Sequence, residues 1–249
     1  IITENHDSIN PKCPTIGQYV HALILSTEIV QGSLLVLGRF HYTYFVIMSR
    51  LEQNMSVQQP KFELRDEDEL SLDLIEAQYA LKDSRGKSNA KSVLILVSGI
   101  ELAGKGEAVK QLREWLDPRY LKVKADAPKL LTNNQTFWQS YTRFIPAEGQ
   151  IVVMFGNWYS DLLATAMHVS KPLNEALFDG YVEQMRAFEH DLQHNHVHVV
   201  KVWFDLSWKS LQKRLDQIDA SEQHWHKLHG LDWRNKKQYD TLQELSQRF

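Results

Sequence analysis

Two rhythms of apolar residues alternate along this chain. Leu70, Leu74, Ala77 and Leu81 recur at spacings of four, three and four, which predicts one buried helix face. A polar loop follows from Asp83 to Asn89. Then Ser92-Val93-Leu94-Ile95-Leu96-Val97 is a continuous apolar run of strand length. A strand without alternation is buried on both faces, the mark of a central parallel strand. It ends at Ser98-Gly99. Val109, Leu112 and Leu116 predict a helix over 107–116, and Asp117-Pro118 stops it, because the residue before proline avoids the helical region.

The alternation repeats downstream. Residues 121–125 predict a short strand, and Phe137, Tyr141 and Phe144 a helical stripe. Residues 145–149 read as a turn before a second buried strand, Ile151-Val152-Val153-Met154-Phe155. Leu173, Leu177, Tyr181, Met185, Phe188 and Leu192 predict a long amphipathic helix. Residues 197–204 predict a third buried strand, and Leu211, Leu215 and Ile218 a further helix. Strands alternating with helices predict an α/β fold, a parallel sheet covered on both faces. Residues 1–54 lack this patterning and are expected to be a non-native extension, a tag or upstream sequence, with the natural start at Met48 or Met55. Residues 55–249 are expected to form the domain. The chain lacks an initial Met and stops at Phe249 within a helical pattern, so it reads as a fragment truncated at its C-terminus.

The first buried strand runs into Gly99-Ile100-Glu101-Leu102-Ala103-Gly104-Lys105-Gly106, and an amphipathic helix follows. Strand, G-x-x-x-x-G-K and helix together make a phosphate loop. Glycines let backbone N–H groups converge on phosphate oxygens, and the helix adds the positive end of its dipole. Lys105 supplies a point charge to a transferring phosphate. Gly106 stands where a Ser or Thr would help hold magnesium, so the generic motif lacks one ligand. Glu101 is a carboxylate inside the loop, able to orient a metal or an acceptor. Asp205, at the end of the third strand, is either a second magnesium ligand or the cap of the helix near Trp208.

Composition narrows the ligand. The formal net charge of -3 excludes a strongly basic protein, so nucleic acid is not expected. No run of about 20 apolar residues predicts a membrane span, because Glu28, Gln31, Arg39 and His41 interrupt the most apolar stretch. A lone cysteine, Cys13, forms no internal disulfide, in keeping with the cytoplasm.

The loop resembles the G-x-D-x-x-G-K-G element of the polyphosphate kinase 2 family. So do Pro146-Ala147-Glu148-Gly149 before a strand and Trp158-Tyr159 after it. Glu114-Trp115-Leu116-Asp117-Pro118-Arg119 and Phe155-Gly156-Asn157-Trp158-Tyr159-Ser160-Asp161 resemble the first of two fused domains in polyphosphate:AMP phosphotransferases. The likeness runs from about Leu70 to the end, through Phe188-Glu189, Phe204-Asp205-Leu206-Ser207, Gln212-Lys213-Arg214-Leu215 and Asp232-Trp233-Arg234. It implies a P-loop NTPase-like three-layer α/β/α sandwich with a helical lid. It also implies Mg2+-dependent transfer of phosphate from polyphosphate to AMP, giving ADP. Lys105 would act on the transferring phosphates, with Glu101 as the loop acid and metal ligand. A second domain of the same kind and a homo-oligomer are the expected partners.

This sequence departs from the family at two points. Active members carry F-D-R-S-W-Y after the second strand, whereas Phe155-Gly156-Asn157-Trp158-Tyr159 is one residue shorter and lacks the Asp and the Arg. The loop aspartate is Glu101. Transfer would lose a metal ligand and a charge-neutralising group. In the fused enzymes the first domain is the degenerate one, so this chain is expected to have little activity alone. The alternatives are a non-catalytic polyphosphate-binding or assembly domain, and an ATP-dependent nucleotide kinase.

Other candidates come from charge and ring chemistry. Gly99, Gly104, Lys105, Gly106 and Arg143 are the phosphate-binding set, and Trp158, Tyr159, Lys213 and Arg214 lie on the substrate side. His194, His196 and His198 alternate as a strand would present them, which could suit a metal, but exposed histidines at a strand entry are the favoured reading. His224, His226 and His229 fall in a polar stretch read as a solvated helix or lid.

Overall fold

The protein is described by a computed structural model that covers residues 34–40, 43–49, 67–131, 136–168, 173–218 and 231–249. The expectations about Cys13, residues 1–33, Met55 and His224, His226 and His229 lie outside the described residues. Four parallel strands form the centre of the sheet: β3 (Ser92–Gly99), β4 (Leu121–Ala125), β5 (Ile151–Phe155) and β6 (Val197–Asp205). Two earlier strands, β1 (Leu34–Phe40) and β2 (Thr43–Ser49), pair antiparallel with each other, and β2 pairs antiparallel with β6. The sheet order is β1-β2-β6-β3-β5-β4. The apolar rhythm anticipates the parallel core, but not the antiparallel ribbon at its edge.

Six helices are described: α1 (Glu67–Asp83), α2 (Lys105–Trp115), α3 (Trp158–Ala166), α4 (Glu175–His194), α5 (Trp208–Gln217) and α6 (Lys236–Ser246). Alternate strand residues face opposite layers. Val93, Ile95, Val97, Ile151, Val153, Val202 and Phe204 pack with α1, α2, α5 and α6. Leu94, Leu96, Val152, Met154 and Val199 pack with α3 and α4. The runs Val93–Val97 and Ile151–Met154 are therefore apolar throughout because each residue meets one of two cores. All six described helices feed one core or the other, so no described helix stands apart as a lid.

The stripe of Phe137, Tyr141 and Phe144 forms two 3₁₀ turns, Phe137–Ser140 and Thr142–Phe144, rather than one α-helix. Ile145 is extended before Pro146, which ends the helical path. Asp117 does more than end α2. Its backbone exchanges two hydrogen bonds with Gln78, and its carboxylate accepts from Tyr79 and Arg119. The Asp117-Pro118-Arg119 turn thus clamps α1 to the end of α2. The Arg119 guanidinium holds the Asp117 carboxyl well below the usual carboxylate range.

Candidate phosphate-binding site

The loop leaves β3 at the carboxyl edge of the sheet, where ligands of open α/β folds bind. Gly99 has φ +133°, and a Cβ there would lie 2.1 Å from the Phe204 carbonyl oxygen. Only glycine lets the loop pass so close to β6, and Ile100 N donates to the Phe204 carbonyl at 2.8 Å. Leu102 (φ 61°) and Gly104 (φ 94°) then turn through left-handed backbone. Such alternation turns successive N–H groups toward one concavity. Gly104 caps α2, and the N–H groups of its first turn have no carbonyl within the helix to bond. A Cβ at Gly106 would meet nothing within 4 Å, so the rim of the cup is open there.

Lys105 is 8% exposed and lies over its own loop. Its Nζ donates to the Gly99 carbonyl at 2.8 Å and to Glu101 Oε1 at 2.9 Å. An ammonium has three donors, so one remains to meet a phosphate. Arg214 reaches across from α5 and donates to the Leu102 carbonyl. Burial lowers its pKa, and Glu107 opposes that shift. Arg214 therefore positions the loop rather than presenting a free charge. Lys213, the adjacent candidate, is exposed on α5.

Trp158 and Tyr159 are not available to stack a base. Trp158 is 0% exposed, and its Nε1 donates to Glu189 Oε1 at 3.1 Å. Its ring packs on Phe137, Tyr141 and Phe188. Tyr159 donates to the same oxygen at 2.5 Å, and Lys201 Nζ lies 3.1 Å from Glu189 Oε2. The two rings hold a buried polar network under the sheet, because the first turn of α3 faces the core. Arg143 stacks over its neighbour Phe144 at 4.7 Å, and among the described residues no contact joins it to the loop. Asp205 accepts from Gln243 at 2.6 Å, and Ser207, not Asp205, caps α5.

The end of β5 carries more than its sequence suggests. Asn157 is fully buried and caps α3, accepting from Tyr159 N and bonding Ser98 and the Val97 carbonyl. Gly156 has φ +95°, and a Cβ there would sit 2.0 Å from the Asp126 carbonyl oxygen. The continuation of β4 thus occupies the space where a side chain at 156 would go. Lys124 closes the corner: its Nζ donates to the Gly156 carbonyl at 2.9 Å and lies 3.1 Å from Asp126 Oδ2. In the sequence, Lys124 is legible only as one of two lysines, with Lys122, alternating with apolar residues on β4. Asp161 is a structural anchor, accepting from Tyr141 and from Lys129 N; burial raises its pKa, and both bonds oppose that.

The histidines do not form the expected row. His194 ends α4, His196 sits in a turn at φ 59°, and His198 lies in β6 with its pKa lowered, first by burial and then by Lys91 and His196. Among the described residues no group of three or more His, Cys, Asp or Glu side chains converges as a metal site. No described helix is long and apolar enough to cross a membrane.

A central parallel strand, a loop wound through left-handed backbone, and a helix opening on a lysine give the chain a P-loop-like α/β fold. The family model described as polyphosphate kinase 2 (PPK2) matches residues 62–248, and the chain belongs to that family. It is 76% identical over 184 residues to a polyphosphate:AMP phosphotransferase of Acinetobacter johnsonii, covering 74% of this chain and 39% of that protein. It is 36% identical over 185 residues to the Pseudomonas aeruginosa protein of the same name, covering 72% of this chain and 35% of the relative. The chain thus spans well under half the length of these relatives. A crystal structure of a Pseudomonas aeruginosa polyphosphate kinase 2 superposes with a TM-score of 0.56 at 30% identity, covering 74% of this chain and 37% of that one. Polyphosphate kinase 2 from Arthrobacter aurescens, at 23% identity over 71% of this chain and 62% of its own, gives the same TM-score of 0.56 and supports the fold alone.

Proposed function

We propose that this chain is the N-terminal, catalytically degenerate domain of a phosphotransferase that moves phosphate from polyphosphate to AMP, giving ADP. Its loop grips the phosphate chain through Lys105, whose ammonium Glu101 restrains, but carries little transfer alone. Gly99, Gly104 and Gly106 shape the cup, and Arg143 stands apart from it, stacked on Phe144. The observation that carries this reading is the corner at Gly156. The backbone of Asp126 fills the place where a functional side chain would project. The names of the relatives supply the substrates.

The residues present do not fit a magnesium ion. Glu101 is committed to Lys105, Asp126 to Lys124, and Asp205 to Gln243, while Gly106 offers no hydroxyl. Mg2+ therefore belongs, on this reading, to the active domain of the fused protein, and no step here runs through it. The matched 184 residues make up 39% of the Acinetobacter relative, which leaves room for such a second domain. Assembly into a homo-oligomer and a cytoplasmic setting complete the proposal.

Calorimetric titration with polyphosphate, AMP and ATP, alongside an ADP-formation assay on the purified chain, tests it. Tight polyphosphate binding with little turnover is the expected result. Brisk ADP formation from AMP and polyphosphate would overturn the degenerate assignment. Preference for ATP over polyphosphate would favour a nucleotide kinase instead.

A further inference from the structure

The histidine cluster that the sequence suggests is re-sorted by the fold into a different pair. His190 and His194 lie four apart near the C-terminus of α4, in the order His190-Asp191-Leu192-Gln193-His194. Residues at this spacing share one helix face, and two helical histidines so spaced are the recurring chelate of H-E-x-x-H zinc sites. Their ring centroids are 4.5 Å apart. Rings this close leave room for one ion to bridge them. With a metal–nitrogen bond of ~2.1 Å, and about 1.1 Å more to each ring centre, a metal angle near 90–110° puts the centroids ~4.5–5 Å apart.

Three further observations favour a cation here. Both side chains are exposed, so binding costs no burial of charge. Neither imidazole has a hydrogen-bond or ion-pair partner among the described residues; each meets only the other ring. They also sit on the last turns of a 20-residue helix, whose dipole presents its negative end there.

We propose that His190 and His194 form a two-histidine surface site for a borderline transition-metal ion of the Zn2+ and Cu2+ class, with water completing the coordination. The site stands apart from the phosphate loop. It adjoins the start of β6, whereas the loop bonds to the end of that nine-residue strand, about 25 Å along at ~3.3 Å per residue. Copper should bind more tightly than zinc, following the ordinary order of divalent affinities.

The test is titration of the untagged, chelator-stripped 249-residue chain with ZnCl2 and with CuSO4. Parallel titrations use His190→Ala, His194→Ala and, as a control, His196→Ala. The strongest site is expected to weaken at least ~10-fold in either of the first two variants and to survive in the third. Copper electron paramagnetic resonance should show two nitrogen ligands in the parent and one in His190→Ala. Because all three positions are exposed, thermal melting is expected to stay unchanged. A parent that binds neither ion, or a strongest site unaltered by both His190→Ala and His194→Ala, would overturn the proposal.

Discussion

Restoring a carboxylate at the end of β5 should damage this domain rather than revive it. The perturbation is Gly156→Asp, with Gly156→Ala as its steric control. At φ +95° any L side chain is strained, by about 1–3 kcal/mol for a non-glycine residue in such backbone. The Cβ would also sit 2.0 Å from the Asp126 carbonyl oxygen, so that backbone must retreat by more than an ångström. Two hydrogen bonds hold the corner: Asp126 N to the Phe155 carbonyl at 3.1 Å fixes the Asp126 backbone, and Lys124 Nζ to the Gly156 carbonyl at 2.9 Å fixes the residue facing it. Each contributes ~1 kcal/mol when lost. The sum is about 3–5 kcal/mol, which for a domain of this size lowers Tm by ~6–20 °C. Differential scanning calorimetry reads the first half, and ADP formation from AMP and polyphosphate the second. Because the clash begins at Cβ, the alanine variant should lose most of what the aspartate variant loses. A Gly156→Ala protein that melts with the parent, or a Gly156→Asp protein that gains transferase activity, would refute the steric reasoning.

Lys105→Ala should weaken polyphosphate binding by ~10–100-fold in calorimetry, the range of one charge-assisted hydrogen bond, without unfolding the sheet. Glu101→Gln removes the anion that holds the same ammonium, so it should tighten polyphosphate binding several-fold; weaker binding would mean that the carboxylate orients the loop more than it opposes the ligand. Arg214→Ala frees the Leu102 carbonyl and should raise amide hydrogen exchange across residues 100–106 while β3 stays protected. Asp117 has a folded pKa below its ordinary 3.8, so its contribution is present above that value and is lost as pH falls through the folded pKa. Asp117→Asn should therefore lower Tm at neutral pH and flatten the acid limb of a Tm-versus-pH curve; an acid limb as steep as the parent's would count against the Arg119 clamp.

Much of the sandwich can be read from the residues alone. The runs 93–97 and 151–154 are apolar at every position because both faces are covered, and that is a property of sequence. The phosphate loop is legible for a similar reason: Gly99 and Gly104 stand where the backbone needs φ above zero. The ribbon of β1 and β2 is not, since an edge ribbon stands on partners far away in the chain. Trp158 and Tyr159 mislead because aromatic rings serve stacking and packing equally. Only the buried acid Glu189, thirty residues on, shows that they pack. The three histidines share no face because their alternation is counted across the end of α4, where the period changes from 3.6 to 2.

The least legible feature is what the loop lysine faces. A sequence names the loop lysine, but not whether its charge is free. Glu101 and Lys105 are four apart, and the carboxylate reaches the ammonium at 2.9 Å. An aspartate at 101, as in the family loop, would be one methylene shorter, by about 1.5 Å of reach. From the same backbone it would fall outside hydrogen-bond distance of Nζ. The exchange of Asp for Glu thus looks conservative in chemistry, yet it changes what the lysine faces first. On the proposed reading, the internal acid and a phosphate chain compete for one ammonium, in a cup whose neighbouring corner is already closed by backbone. On the same reading, a loop of that kind holds an anion by its N–H groups and helix dipole, with less free charge than transfer demands.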